Sequence, residues 1–466
     1  MVLVKSSSGI RGTLGGKIGD SFTPIDAMKF SSAYVSWMRK KYKHKKKFLI
    51  LSGRDGRITS KLFHTLLLST LQSLGIDVID IGLSTTPTLA FSIINEKADG
   101  GIMITASHNP KNWNGLKMFN SFGEFLSEKE FQKLCFFVKK QYFYFSSYKK
   151  FGKILYKTNC IQKHIEKVIS LPIVDTEKIR KSNLKIVVDG INSTGGIAVP
   201  LLLENLGVHT IKMYCNPHGN FSHNPEPVQN NLKNICKKVP KTKSNMGISI
   251  DPDVDRVVFI CENGDFFGEE NTLVAITDYV LKHEKGPIVT TYSSSHALKD
   301  LSITNGVPFY FSPVGEVHVV KRMKEVHAII GGEGNGGIIY PTFRYGRDAL
   351  VGIALFLTYI SKEPFLSLSV LKKKYSKYFM SKRKVRLLDH YSKLIQKIKK
   401  KYNGYNMDFN DGIKIYLSNK EWIHIRKSNT ENMIRIYTES YSRKRANFLS
   451  RNVLYDIKKQ NTNTIK

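Results

Sequence analysis

The sequence predicts an α/β protein made of several successive units, and three observations carry that expectation. Short apolar runs alternate with stretches of helical periodicity through most of the chain. In three successive units the strand-like runs end in a distinctive polar turn. The chain has 466 residues, too many for one small core; at roughly 100–150 residues per domain the length corresponds to about three or four domains. A βαβα alternation of this kind argues for largely parallel sheets with helices on both faces.

In the first unit, Phe48-Leu-Ile-Leu-Ser52 reads as a buried strand that leads into Gly53-Arg-Asp-Gly-Arg57. Lys61 to Leu74 has helical periodicity and stops before Gly75. Val78 to Gly82 is a further strand, Pro87 opens the next helix, and the apolar run Ile102 to Ile104 ends in Thr105-Ala-Ser-His-Asn-Pro110. Pro110 fixes its own φ and biases Asn109 away from helix, so that turn is stiff. A serine held there can face a cleft as a nucleophile, although the same residues are ordinary loop formers. The aromatic, Lys-rich stretch from Gln141 to Gly152 breaks the rhythm and places a first domain at 1–152. The second unit, 153–261, holds the strand Leu184 to Asp189, a Gly-rich turn, a helix from Ala198 to Leu206, and the strand Gly247 to Asp251. That Gly-rich turn reads as strand-to-helix packing before phosphate binding. The third, 262–370, holds strands at Pro287 to Thr291 and Ala328 to Glu333 and a helix from Ala349 to Ile360. A basic linker near Lys372 to Lys384 precedes a smaller α+β unit within 371–466, with strands at Gly412 to Leu417, Trp422 to Arg426 and Met433 to Tyr437 and a helix from Arg443 to Lys459.

Hydrophobic residues make up 41% and aromatics 11% of the chain, ample for packed cores. No run approaches the roughly 18–20 apolar residues of a membrane span, and the N-terminus lacks the layout of a signal peptide. A cytoplasmic protein without a membrane partner is expected. Five scattered cysteines without metal spacing read as reduced thiols. The formal net charge is +34. Runs such as Arg39-Lys-Lys-Tyr-Lys-His-Lys-Lys-Lys47 fit a nucleic-acid partner. The spread of Lys through the whole chain, alongside abundant Asn and Ile from AT-rich codons, favours compositional drift instead. Either way the field attracts small phosphorylated ligands.

Three further loops carry chemistry. In Asp251-Pro-Asp-Val-Asp255-Arg256 three carboxylates at alternate positions, stiffened by Pro252, can converge on one hard cation. Oxygen-only ligands favour Mg²⁺ or Ca²⁺ over Zn²⁺. In so basic a chain a metal site outweighs a solvated acidic turn. Gly331-Gly-Glu333-Gly-Asn335-Gly-Gly337, followed by Arg344-Tyr-Gly-Arg347-Asp348, allows close backbone approach and offers a carboxylate and an amide to sugar hydroxyls. A flexible turn is the other reading of that loop. In Arg426-Lys-Ser428-Asn429-Thr430-Glu-Asn-Met-Ile-Arg435 two Arg flank a Ser-Asn-Thr turn, a composition suited to cradling phosphate.

Together these loops resemble the α-D-phosphohexomutase superfamily along nearly the whole chain. Thr105 to Pro110 is similar to its phosphoserine loop, Asp251 to Arg256 to its metal loop, Gly332 to Gly337 to its sugar loop, and Arg426 to Glu431 to its phosphate loop. Ser8-Gly-Ile-Arg11-Gly12 and His223-Asn-Pro-Glu-Pro227 resemble two other recurrent segments. The resemblance implies four domains around a central cleft: three related α/β domains with mixed sheets, and a C-terminal α+β domain. It implies that Ser107 carries a phosphoryl group and that one Mg²⁺ per chain is held by Ser107, Asp251, Asp253 and Asp255. Arg11, Lys117 and His108 would assist at the transferring group. Arg256, Glu333 and Asn335 would contact the sugar phosphate, and Arg426, Ser428, Asn429, Thr430 and Arg435 would grip the distal phosphate. A sugar bisphosphate would be intermediate and activator, the substrate a hexose phosphate, and the protein a monomer or homodimer.

The chain departs from the family pattern in places. Lys5-Ser-Ser-Ser-Gly-Ile-Arg lacks the usual Phe-Gly-Thr, Asn335 stands where many members have Ser, and Lys427 and Asn432 replace prolines. At Val314-Gly315-Glu316 the phosphomannomutase/phosphoglucomutase branch has His after the Gly; here it is Glu316, with His318 two residues on. Phosphoglucosamine mutases are similar in placing an acidic residue there, so glucosamine 6-phosphate is the expected substrate, with phosphomannomutase/phosphoglucomutase activity as the alternative. Glu316 also suits a proton acceptor or a structural role. Readings from other classes are a basic nucleic-acid-binding protein on a degenerate enzyme fold and a metal-dependent phosphatase.

Overall fold

The computed structural model describes residues 2–363, 367–375, 378–386, 391–428 and 433–462. The first sheet contains β1 (Leu3–Ser6), β2 (Gly9–Thr13), β3 (Leu49–Arg54), β4 (Asp77–Leu83), β5 (Gly100–Ile104), β6 (Trp113–Asn120) and β7 (Ile154–Tyr156), in the order β1-β2-β6-β5-β3-β4-β7. The second has β8 (Lys185–Asp189), β9 (His209–Met213), β10 (Met246–Ile250) and β11 (Val257–Cys261), ordered β11-β10-β8-β9. The third has β12 (Ile288–Thr291), β13 (Phe309–Ser312), β14 (Ile330–Glu333) and β15 (Gly337–Ile339), ordered β13-β12-β14-β15. The fourth sheet is antiparallel throughout: β16 (Phe379–Arg386), β17 (Asn406–Asp408), β18 (Ile413–Ser418), β19 (Glu421–Lys427) and β20 (Met433–Ser440), ordered β16-β20-β19-β18-β17.

The first three sheets repeat one plan. A central strand pairs in parallel with the next two strands of its unit, and a fourth returns antiparallel on the outer one, giving β4-β3-β5-β6, β9-β8-β10-β11 and β13-β12-β14-β15. The expected parallel core is present, and these returning strands, with the β1–β2 hairpin, make the sheets mixed. The turn into the returning strand carries a site loop in every case: Ser107 between β5 and β6, Asp251 to Arg256 between β10 and β11, and Glu333 to Gly337 between β14 and β15. Equivalent positions in a repeated unit thus bring three chemically different loops together.

The second and third units share one core. Helix Ala349–Lys362 is apolar almost all round its circumference, the pattern of a helix with no solvent face, and its residues from Ala349 to Ser361 are buried. Its start is fixed by Asp348, whose Oδ1 accepts from Leu350 N at 3.0 Å and Val351 N at 3.3 Å. Phe356 stacks on Phe259 with ring centroids 3.8 Å apart. The same Asp348 joins three units: its Oδ2 lies 3.0 Å from His164 Nε2, and His164 Nδ1 lies 2.9 Å from Thr88 Oγ1. In the Gly-rich turn after β8, a Cβ on Gly190 would sit 2.7 Å from the Gly196 Cα, so that turn closes by backbone packing.

Two sequence expectations change. The basic stretch near Lys372 to Lys384 is not a linker: it contributes helix Leu368–Tyr375 and the edge strand β16. Leu368, Leu371 and Tyr375 are buried at helical spacing while the lysines point outward, so the charge run masks an amphipathic helix. The first sheet also continues past residue 152, because Ile154–Tyr156 pairs in parallel with β4.

Candidate active site

Ser107 has φ +50°, in the left-handed region, a conformation that costs a non-glycine residue about 1–2 kcal/mol. The surroundings impose it. Ser107 N donates to Thr105 Oγ1 at 2.9 Å, and Thr105 Oγ1 donates to Asp55 Oδ2 at 2.7 Å. The buried guanidinium of Arg57 donates to Asp55 Oδ2 at 3.1 Å, to the carbonyls of Pro110 at 2.7 Å and Trp113 at 3.0 Å, and to those of Ser107 and Asn109. Five acceptors around one planar cation fix the whole turn. Sequence reasoning passed over Arg57; the available signal was a pair of opposite charges immediately after a buried strand.

The three carboxylates of Asp251, Asp253 and Asp255 are buried, and one oxygen from each lies within 4.8 Å of the others. Ser107 Oγ donates to Asp251 Oδ2 at 3.0 Å. Lys117 Nζ donates to Asp253 Oδ2 at 2.6 Å and to Asp255 Oδ2 at 2.7 Å, and Arg347 Nη2 donates to Asp255 Oδ2 at 2.8 Å. Asp253 Oδ1 and Asp255 Oδ1 have no hydrogen-bond partner among the described residues. Buried anionic oxygens left without donors are costly, and an oxygen-only set of this compactness fits a hard divalent cation. Burial and the charges of Asp255 and Asp253 push the Asp251 carboxyl well above the usual range. Burial also raises Asp255, but Arg347 and Lys117 overcome it and hold that carboxyl below its usual range. Burial lowers Lys117, but Asp253 and Asp255 outweigh it and raise the ammonium pKa.

An open cleft lies beside this cluster. Arg11, His108, Arg256, Glu333, Asn335, Arg426, Ser428 and Arg435 all line it, as does Glu226 of the His223 to Pro227 segment. Arg11 Nη1 donates to Asn109 Oδ1 at 3.1 Å, and burial with the charges of Arg256 and Arg347 lowers its pKa to about 10. Burial, then Arg256 and Arg11, lower His108 well below its ordinary value, so its imidazole is neutral. Glu333 Oε1 accepts from Gly315 N at 3.0 Å, and Asn335 Oδ1 accepts from Gly337 N at 3.1 Å. Glu316 lines the cleft, whereas His318 lines a neighbouring groove.

Arg347 joins the Asp251 to Asp255 cluster to the Gly-rich loop of Glu333. Besides Asp255 it donates to Glu316 Oε2 at 2.8 Å and Glu333 Oε2 at 3.0 Å. It lies next to the Gly-rich loop in sequence but is not among the expected site residues, because only the tertiary structure brings its three partners around it. On the far wall, Arg426 and Arg435 face each other across β19 and β20. Like charges in register repel, and a bound anion between them would relieve that. Ser428 N donates to Met433 O at 2.8 Å beside them. Asn429 and Thr430, also expected here, lie outside the described residues.

The comparisons with known proteins agree with this plan. Residues 3–145, 162–264 and 269–378 match the phosphoglucomutase/phosphomannomutase alpha/beta/alpha domains I, II and III, and residues 382–453 match the C-terminal domain. The chain is 33% identical over 444 residues to a phosphoglucomutase/phosphomannomutase of Thermococcus kodakarensis, covering 93% of this chain and 95% of that one. It is 30% identical over 464 residues to a phosphoglucosamine/phosphogalactosamine mutase of Sulfurisphaera tokodaii, covering 97% and 98%. A solved structure described as a putative phosphomannomutase from Thermus thermophilus superposes with a TM-score of 0.81 at 22% identity, covering 99% of each chain. With all four domains matched in order, the chain belongs to the α-D-phosphohexomutase superfamily and is a phosphohexomutase, an isomerase that moves a phosphoryl group on a sugar.

Proposed function

We propose that this phosphohexomutase interconverts the 6-phosphate and 1-phosphate of glucosamine, with Ser107 as phosphoryl carrier and Mg²⁺ on the three aspartates. The observation that carries the reading is the hydrogen bond from Ser107 Oγ to Asp251, at 3.0 Å, beside two carboxylate oxygens without donors. Asp251, Asp253 and Asp255 would hold the cation together with Ser107. When bound it supplies a Lewis acid that neutralises charge on the transferring phosphoryl group.

The substrate would enter with its 6-phosphate against Arg426, Ser428 and Arg435 and its C1 hydroxyl toward phosphorylated Ser107. That hydroxyl attacks the phosphorus, the P–Oγ bond breaks, and a 1,6-bisphosphate results. The bisphosphate turns over in the cleft, Ser107 Oγ attacks the 6-phosphoryl group, the P–O6 bond breaks, and the 1-phosphate leaves with Ser107 rephosphorylated. Added bisphosphate would therefore act as an activator. Lys117 and Arg11 hold positive charge at the transferring group, and Asp251 accepts the hydrogen bond of the unphosphorylated Ser107. Glu333 and Asn335 would accept and donate at sugar hydroxyls. Water must be kept out, because it would hydrolyse phosphoserine. Lys382 on β16, donating to Glu269 at 2.9 Å and Glu270 at 3.0 Å, would hold the fourth domain on the third.

Glucosamine is favoured because Glu226, Glu269, Glu316 and Glu333 line the cleft, and even with Glu316 and Glu333 paired to Arg347 and Glu269 to Lys382 their carboxylates favour an ammonium group nearby. The Thermococcus relative's name supports glucose and mannose phosphates as the second reading. The test is kcat/KM for glucosamine, glucose and mannose 6-phosphates with Mg²⁺ and bisphosphate, for the native chain and for Glu316→His. A preference for a neutral hexose in the native chain would reject the substrate. Near-normal turnover by Ser107→Ala would reject the carrier, and phosphate release without isomerised product would make the chain a phosphatase.

A further inference from the structure

We propose that the end of the first domain remote from the cleft is a docking surface for anionic lipid bilayers. The stretch from Gln141 to Gly152, which breaks the βα rhythm, lies across the ends of the first two long helices, Pro24–Lys41 and Ser60–Ser73. Its backbone is tied down: Ser36 Oγ donates to Tyr142 O at 2.8 Å, Arg39 Nη1 to Tyr144 O at 3.0 Å, and Ser146 N to Ser73 O at 2.9 Å. Phe143 packs partly against the domain core, but most of the segment's aromatic side chains are not tucked in. Tyr144 is 67% exposed, Tyr148 76% and, on the edge strand β7, Tyr156 73%; Tyr142, Phe145 and Phe151 are also exposed. Exposed aromatics on a soluble surface mark contact sites.

Around them basic residues are in excess: Lys41 and Lys45 pair with Glu130 and Asp99, while Lys43, Lys46 and Lys47 are exposed. No Asp or Glu occurs from Phe131 to Thr158, and the run from Arg39 to Lys47 contains only basic residues and Tyr42. Arg39 joins the two stretches. Compositional drift accounts for many Lys and Tyr residues but not for their gathering on one exposed corner. Strands β3, β4, β5 and β7 run parallel. Residues 39–47 precede β3 and the aromatic segment precedes β7, whereas Ser107 follows β5. The patch therefore lies at the opposite end of the sheet from Ser107, roughly 17–20 Å away.

Phosphate groups of either a membrane or a nucleic acid would meet this charge. The aromatics decide between them. A stacking platform for bases lies along a basic groove, whereas side chains two thirds or more exposed protrude and suit insertion among lipid headgroups. A polybasic cluster beside apolar anchors is the two-signal arrangement that gives reversible peripheral attachment.

The test is co-sedimentation of the full chain with phosphatidylcholine vesicles, with and without about 30% phosphatidylserine, at low and high salt. Partitioning at least tenfold stronger onto anionic vesicles is expected. Tyr142→Ser/Tyr144→Ser/Phe145→Ser/Tyr148→Ser should weaken it at least tenfold with mutase turnover unchanged. Lys43→Gln/Lys46→Gln/Lys47→Gln should weaken it by about 100-fold, at roughly fivefold per lysine. No preference for anionic vesicles overturns the proposal. So does loss in the lysine variant alone, with the aromatic variant unaffected. Binding of single-stranded RNA through these residues without vesicle binding overturns it in favour of a nucleic acid.

Discussion

Arg57→Lys tests whether the Ser107 turn is held by one buried cation. The native guanidinium reaches five acceptors: the Asp55 carboxylate and the carbonyls of Ser107, Asn109, Pro110 and Trp113. A lysine keeps the charge that Asp55 needs but has only three donors, so at least two acceptors lose a donor, although the exposed Pro110 carbonyl keeps Trp113 N. Each lost hydrogen bond is worth about 0.5–1.5 kcal/mol net, giving about 1–3 kcal/mol against the native turn. Ser107 also holds a left-handed backbone worth about 1–2 kcal/mol of strain, which the weakened clamp must still oppose. The turn should then relax for a substantial fraction of the time. As every 1.36 kcal/mol is tenfold in rate, kcat should fall several-fold or more, with KM changed less because Arg426, Ser428 and Arg435 are untouched. Steady-state mutase kinetics, with circular dichroism to confirm folding, measure this. A folded Arg57→Lys protein with kcat within twofold of native would refute the reasoning.

Asp253→Asn removes one of the three carboxylates proposed to hold Mg²⁺ and leaves Lys117 with Asp255 alone; the Mg²⁺ concentration for half-maximal activity should rise at least tenfold, read by metal titration. Burial lowers the His223 pKa, but the hydrogen bond and charge of Asp189, 2.8 Å away, prevail and raise it above 6.5. Its stabilising contribution is therefore complete below pH ~6.5 and lost as pH rises through the folded pKa. His223→Gln should flatten that part of the thermal-midpoint profile, and an unchanged profile would remove His223 as its source. Lys382→Met should raise KM several-fold more than it lowers kcat, since it unpairs the third and fourth domains at Glu269 and Glu270 without touching Ser107; equal effects on both constants would place Lys382 in the chemical step instead.

Local patterns in the sequence were enough for the class of fold and for picking out the loops that line the cleft. Apolar runs of strand length must be buried, Pro110 and Pro252 stiffen the turns that follow them, and three alternate carboxylates in a chain of charge +34 have few reasons to exist without a cation. The basic run at Lys372 to Lys384 misled because counting charge hides the spacing of Leu368, Leu371 and Tyr375, which sets a buried helical face. What the tertiary structure alone decided is who meets whom. Arg57 and Arg347 look like loop arginines in sequence. Only folding sets one among the carbonyls of the Ser107 turn and the other between Asp255, Glu316 and Glu333. A cation's role depends on its partners, and those partners are supplied by a repeated strand-return plan that brings distant turns together in space.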